Sequence, residues 1–213
     1  MMTWSHAFRP PPLRQGELDH LCGLYAIANG VRLLLGMLPT RIGTALLFQE
    51  LVRLAGSEVD LQAALTHGIE APDLWRIVKA TAGSIARNRG VRIVADRPFP
   101  SRSRPSPDTL RREVAAGVRT EGAVYLVGLR GGFDHWTVVR RATPRALFLY
   151  DSGPLRRIDV DPEGRAIIDL DPGREYRFEG SHIFRLRLAH RMTSAVSSTP
   201  RRRSTTTPTE EAA

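Results

Sequence analysis

Cys22 is the single cysteine of the chain, set between the polar run QGELDHL and the small residue Gly23. A thiol is mostly protonated at neutral pH, but the free amides and partial positive charge at a helix N-terminus, or a neighbouring imidazolium, favour the thiolate. The apolar residues that follow Cys22 recur at helical spacing, so the sulfur falls in the first turn of a helix. A lone cysteine is more commonly a small buried hydrophobe. Its place at a helix start, beside a glycine small enough to let a substrate backbone approach, is what marks Cys22 as a candidate nucleophile.

A nucleophilic thiol needs a base within hydrogen-bond reach, and the base needs a partner that fixes its tautomer. The segment GGFDHWTVVRRATPRALFLYDSG contains both types of group. His135 opens an apolar strand after a Gly-Gly turn, with Trp136 placed to shield it. Asp151 ends the next strand, one hairpin away, where its carboxylate would lie beside the imidazole. Taken alone, Asp151 reads better as a structural residue that caps a turn; beside His135 the pairing is what marks it. Acyl transfer also requires donors for an oxyanion. The Cys22 amide is one, and Gln15, seven positions upstream, is a second candidate or else a solvated loop glutamine. Asp19 is placed to cap the Cys22 helix, His20 is too close along the chain to be the first choice of base, and Asp134 and His182 read as turn and strand-edge residues.

The elements that would position these groups follow from periodicity. Leu24, Ile27, Val31 and Leu34 or Leu35 predict a helix from Cys22 to Leu35, with Gly36 at its stop. Further helices are expected over about 43–55, 59–66, 72–88 and 107–117, the last two with Pro72 and Pro107 near their starts, where proline is tolerated. Strand patterns then dominate: Val91–Ala95, Ala123–Leu129, His135–Arg141, Ala146–Tyr150, Arg157–Val160, Ala166–Leu170 and His182–Leu188. Helices gathered first and strands later predict an α+β fold, with the nucleophile's helical part packed on a C-terminal antiparallel sheet.

At 213 residues, one domain with tails is expected. Residues 1–14, with Pro10, Pro11 and Pro12, read as an extended arm, 15–191 as the catalytic domain, and 192–213, almost free of large apolar residues, as a disordered tail. One cysteine excludes an intramolecular disulfide, and the six histidines form no close pair at ligand spacing, so neither metal nor cofactor is expected. No window approaches a membrane span, and MMTWSHAFRPPPLRQ lacks the apolar middle of a signal peptide. A cytoplasmic protein is expected, or one exported by a dedicated secretion machine without a cleavable signal. The net charge of +9, carried by arginines except for Lys79, favours acidic partners. The basic residues are scattered among acids with no recognition motif, which argues against specific nucleic-acid binding.

Three stretches, QGELDHLCGLYAIAN, DHWTVV and LFLYDSG, resemble the papain-like cysteine peptidase superfamily. The first is similar to the glutamine-to-cysteine segment of bacteriocin leader peptidases and their relatives. The other two are similar to the His-Trp strand and the Tyr-Asp-Ser strand end of SUMO-type proteases, which carry the site in permuted order; here the order is Cys, His, Asp. The resemblance implies a papain-like fold with Cys22 as nucleophile, His135 as base, Asp151 as orienter and Gln15 as oxyanion donor. It implies a cysteine peptidase or isopeptidase acting on a protein or peptide, with the positive charge favouring an acidic one. The same triad would also serve a glutamine deamidase or an acyltransferase of the transglutaminase type, as in a bacterial effector. An inactive peptide-binding module of the same fold is the non-enzymatic alternative. Substrate identity and oligomeric state do not follow from these residues.

Overall fold

The computed structural model describes residues 11–16, 19–36, 41–131, 134–161, 165–167 and 176–189. Residues 1–10 of the expected arm, the expected tail and positions 168–170 of the sixth expected strand lie outside them. The chain is α+β. Helices α1 (Cys22–Leu35), α2 (Arg41–Gly56), α3 (Leu61–His67) and α4 (Ala71–Arg89) come first, then strand β1 (Ile93–Asp96) and helix α5 (Pro107–Glu121). Strands β2 (Val124–Leu129), β3 (His135–Thr143), β4 (Ala146–Leu149), β5 (Arg157–Val160), β6 (Ala166–Ile167) and β7 (Ile183–Leu188) complete it. They form one antiparallel sheet in the order β1-β7-β2-β3-β4-β5-β6, the last strand inserting between the first two.

Helix α1 forms where its apolar period predicts and stops at Gly36, whose φ of 58° is the left-handed cap that a glycine adopts without penalty. Its apolar stripe, Leu24, Ile27, Val31 and Leu34, is buried against one face of the sheet. Helices α1, α2 and α4 cover that face with Leu51, Leu74 and Ile77, meeting Leu126, Val138, Phe184 and Leu186. On the other face, α5 inserts Leu110 and Val114 against Tyr125, Val127, Leu129 and Val139. Strand β2 is buried on both sides and alternates between the two cores, Leu126 to one and Tyr125 and Val127 to the other, as a strand's period of two requires. A central strand clamped between helical layers is the stiffest part of such a fold, and β3, which carries His135, pairs directly with it.

Residues 11–14, the described end of the expected arm, are tied down. Leu13 exchanges two hydrogen bonds with the buried Asn29 of α1 (2.8 and 3.2 Å), and the Pro11 carbonyl accepts from Tyr150 Oη at 3.0 Å. This strap runs between α1 and the end of β4, the two elements that carry Cys22 and lead into Asp151. No helix among the described residues is long and apolar enough to cross a membrane.

Candidate active site

Cys22 is the first residue of α1 and is partly exposed. The N-cap is Leu21, which has no side chain able to satisfy the first-turn amides, so these donors have no side-chain acceptor. Asp19 sits two residues short of the cap: its carboxylate accepts from the amides of Leu21 (3.0 Å) and Gly16 (3.2 Å) and so closes the loop ahead of the helix. Helices α3 and α5, by contrast, are capped by the side chains of Asp60 and Ser106. The N-termini of α1 and α4 lack a side-chain cap, and that of α1 bears the thiol.

His135 begins β3, opposite Leu129 of β2, and its side chain is 11% exposed. The Nε2 atom is 2.7 Å from Oδ1 of Asp151, which follows β4 and is 1% exposed. The second carboxylate oxygen of Asp151 accepts from the Gly153 amide at 2.7 Å. The Cys22 thiol lies beside the same imidazole, close enough to raise its pKa, and both residues line one cleft; with Nε2 taken by Asp151, Nδ1 is the nitrogen left to face the sulfur. Thiol, imidazole and carboxylate therefore form one connected line from three distant parts of the chain.

The electrostatics follow from this line. Burial alone would pull the His135 pKa down; the hydrogen bonds to Asp151 and Cys22, with the charges of both, reverse this and raise it to about 9. Burial alone would raise the Asp151 pKa, but the bond to His135, its charge, the neighbouring Thr137 and the Gly153 amide hold the carboxyl below its ordinary range. A raised histidine beside a lowered carboxylate is an imidazolium-carboxylate pair at neutral pH.

An open cleft lies over this line, its walls including Cys22, His135, Trp136, Gly68, Glu70 and His182. Trp136 donates its indole N–H to the Ile69 carbonyl at 3.1 Å, which fixes the start of α4 against β3. The ring of His182 stacks on Trp136 (centroids 5.4 Å apart, planes at 16°), and a Cβ on Gly128 would lie only 3.0 Å from His182 Cβ. His182, 8% exposed, stands immediately before β7, at the strand end the sequence suggests, and is also a wall of the cleft. Neither its stacking partner nor the gap left by Gly128 has a local sequence signature.

Gln15 is placed differently from the three others. Its backbone N–H donates to the Ser152 carbonyl at 3.0 Å, its side-chain amide donates to the Asp19 carbonyl, and it does not line the cleft. Gly23 is likewise occupied inside the fold: a Cβ there would meet Leu74 Cδ1 at 2.8 Å and Trp136 Cδ1 at 3.5 Å. Its smallness lets α1 approach α4 and β3, where the sequence suggested access for substrate. His20 is exposed at the cleft's edge, and Asp134 is held by Arg130 at 2.7 Å. Among the described residues no group of three His, Cys, Asp or Glu side chains is arranged to hold a metal ion. No protein-family model matches the chain, and no curated protein matches it.

Proposed function

We propose that the protein is a cysteine hydrolase of the papain-like kind, which cleaves an amide bond of a protein or peptide substrate, peptide or isopeptide, with Cys22 as nucleophile, His135 as acid and base and Asp151 as orienter. The observation that carries this reading is the meeting of three distant residues: Asp151 bonded to His135 at 2.7 Å, and His135 beside Cys22 on the wall of one open cleft. The nucleophile's helix packed on an antiparallel sheet that brings in histidine and aspartate supports the papain-like comparison.

In the proposed reaction the Cys22 thiolate attacks the amide carbonyl carbon and forms the carbon-sulfur bond. The carbonyl oxygen becomes an oxyanion, for which the uncapped first-turn amides of α1, that of Cys22 foremost, are the nearest donors. The His135 imidazolium then gives its Nδ1 proton to the departing nitrogen as the carbon-nitrogen bond breaks, leaving a thioester. Neutral His135 next takes a proton from water, whose oxygen attacks the thioester. The carboxylic acid product leaves and the thiolate-imidazolium pair is restored. Asp151 keeps Nε2 protonated and the ring in plane throughout. Gln15 acts in this scheme by holding the loop between Asp19 and Ser152 and not as a direct donor.

The test is alkylation of the single cysteine with iodoacetamide between pH 5 and 10. Fast labelling near neutrality that slows strongly in His135→Ala supports an activated thiolate; equal labelling of both proteins at the rate of a free thiol would leave a peptide-binding module. Mass spectrometry of a proteome incubated with active or Cys22→Ala protein then separates cleavage from deamidation and amine transfer, which leave different mass changes.

A further inference from the structure

In a chain with 31 basic and 22 acidic residues, an acidic side chain has no shortage of partners. Among the described residues, all the acids but one have a cation, a histidine or a backbone N–H. The exception is Glu70. It is exposed on the cleft wall, is the N-cap of α4 without making a side-chain cap bond, and forms no ion pair. Its backbone is anchored at the cleft, because the carbonyl of the preceding residue, Ile69, is held by the buried indole of Trp136, next in sequence to His135.

A second residue of the same cleft, His182, carries a buried acceptor without a partner. His182 is 8% exposed, and its Nε2 has no hydrogen-bond partner. The other nitrogen, Nδ1, lies 2.9 Å from Ser181 Oγ and 3.4 Å from the Glu179 carboxylate. A carboxylate only accepts, so the ring proton belongs on Nδ1, and Nε2 of the neutral ring is a bare lone pair. Glu70 is close enough to affect the charge on this ring. Arg130, which lines the same cleft and acts on the charge of this ring, is paired with Asp134 at 2.7 Å.

We propose that the cleft receives a cationic side chain of the substrate, an arginine or lysine flanking the scissile amide, with the Glu70 carboxylate as its counter-ion and His182 Nε2 as an additional acceptor. The proposal rests on the amide-hydrolase reading above and names its substrate class. It sets the cleft against the rest of the surface: the net positive charge draws acidic partners, while the cleft selects a basic residue within them. A guanidinium or ammonium, which offers donors only, fits two acceptors without leaving one unpaired.

The probes are peptidyl chloromethyl ketones in pairs that differ only in arginine against citrulline, at the residue next to the warhead or one position further. The Cys22 sulfur displaces chloride and forms a thioether, read as a mass increase on the full-length protein. At one of the two positions the arginine probe is expected to react at least about tenfold faster than its isosteric neutral partner, as for a charge-assisted hydrogen bond. Glu70→Gln should bring that ratio to within about threefold, and Glu70→Arg should favour a glutamate probe. A ratio near one at both positions, or a large ratio untouched by Glu70→Gln, overturns the subsite. If Glu70 serves only the dipole of α4, the substitution lowers Tm and leaves the ratio intact, which also overturns it. Probes that react no faster with wild type than with His135→Ala sink the hydrolase reading itself, a result distinct from a lost arginine preference.

Discussion

Two histidines flank Trp136, one joined to it in the chain and one stacked on its ring, and their environments drive them to different charge states. His135 has a carboxylate at 2.7 Å on one nitrogen and the thiol on the other, and these overcome burial to raise its pKa to about 9. His182 has its carboxylate, Glu179, at 3.4 Å, has Arg130 nearby and an aromatic face against its ring, and burial wins: its pKa is lowered. A carboxylate is present in both cases. What separates them is the length of the contact to it and the presence of the Cys22 sulfur beside His135, so that one ring is held protonated while the other is a neutral wall.

The largest expected effect comes from removing the charged member. His135→Ala should slow Cys22 alkylation at pH 7 by about a hundredfold or more, the range of positioned acid-base partners, measured by intact mass against time. Next is Asp151→Asn, which keeps the shape and removes the charge. The His135 titration, followed by NMR, should move down from about 9 toward or below its ordinary value. The linked stability has a defined sign. A raised histidine pKa contributes stability fully present below the unfolded value of about 6.5 and lost as pH rises through about 9, on the order of 3 kcal/mol in all. The lowered Asp151 carboxyl contributes stability present above its ordinary value and lost as pH falls below it. Chemical denaturation of wild type should therefore weaken between pH 6.5 and 9, and the Asp151→Asn variant should be flat over that interval. A wild-type curve without this decline would contradict the ion pair.

The charged histidine was legible in the sequence and the neutral one was not, for a physical reason. Helix α1 runs from Cys22 to Leu35, where the apolar repeat and Gly36 place it. His135 and Asp151 sit at strand ends one hairpin apart, and a hairpin brings such positions together by local geometry alone. His182 reaches the cleft because β7 inserts between β1 and β2, a pairing between residues about sixty positions apart that no periodicity encodes. The meanings of Gly23 and Gly128 were hidden in the same way: each is small because of a side chain from a distant element, Leu74 in one case and His182 in the other. Glu70 shows only as a carboxylate before a helix until every other described acid is seen to be paired.

Gly128→Ala tests the neutral side by packing. The new methyl would lie 3.0 and 3.1 Å from His182 Cβ and Cδ2 and 3.3 Å from Trp136 Cη2, so ring or indole must move. Overpacking of this kind costs about 1–3 kcal/mol, a fall of roughly 2–10 °C in Tm for a chain of this size. The strand carrying His135 is paired with Gly128's own strand, so alkylation of Cys22 should slow by a smaller factor than in His135→Ala.

The smallest effect is expected at Gln15. Loss of a true oxyanion donor slows acyl transfer by about a hundredfold or more, but the Gln15 amide is committed to the Asp19 carbonyl, and the residue is outside the cleft. The contact to Ser152 runs through the Gln15 backbone and survives any side-chain change. Gln15→Ala should therefore reduce turnover of a cleaved peptide by less than about tenfold, with the loss mostly in kcat if the Asp19 loop loosens around α1. A hundredfold fall in kcat with unchanged alkylation of Cys22 would show instead that Gln15 leaves the Asp19 carbonyl when substrate arrives. The uncapped amides of α1 would then be only half of the oxyanion site.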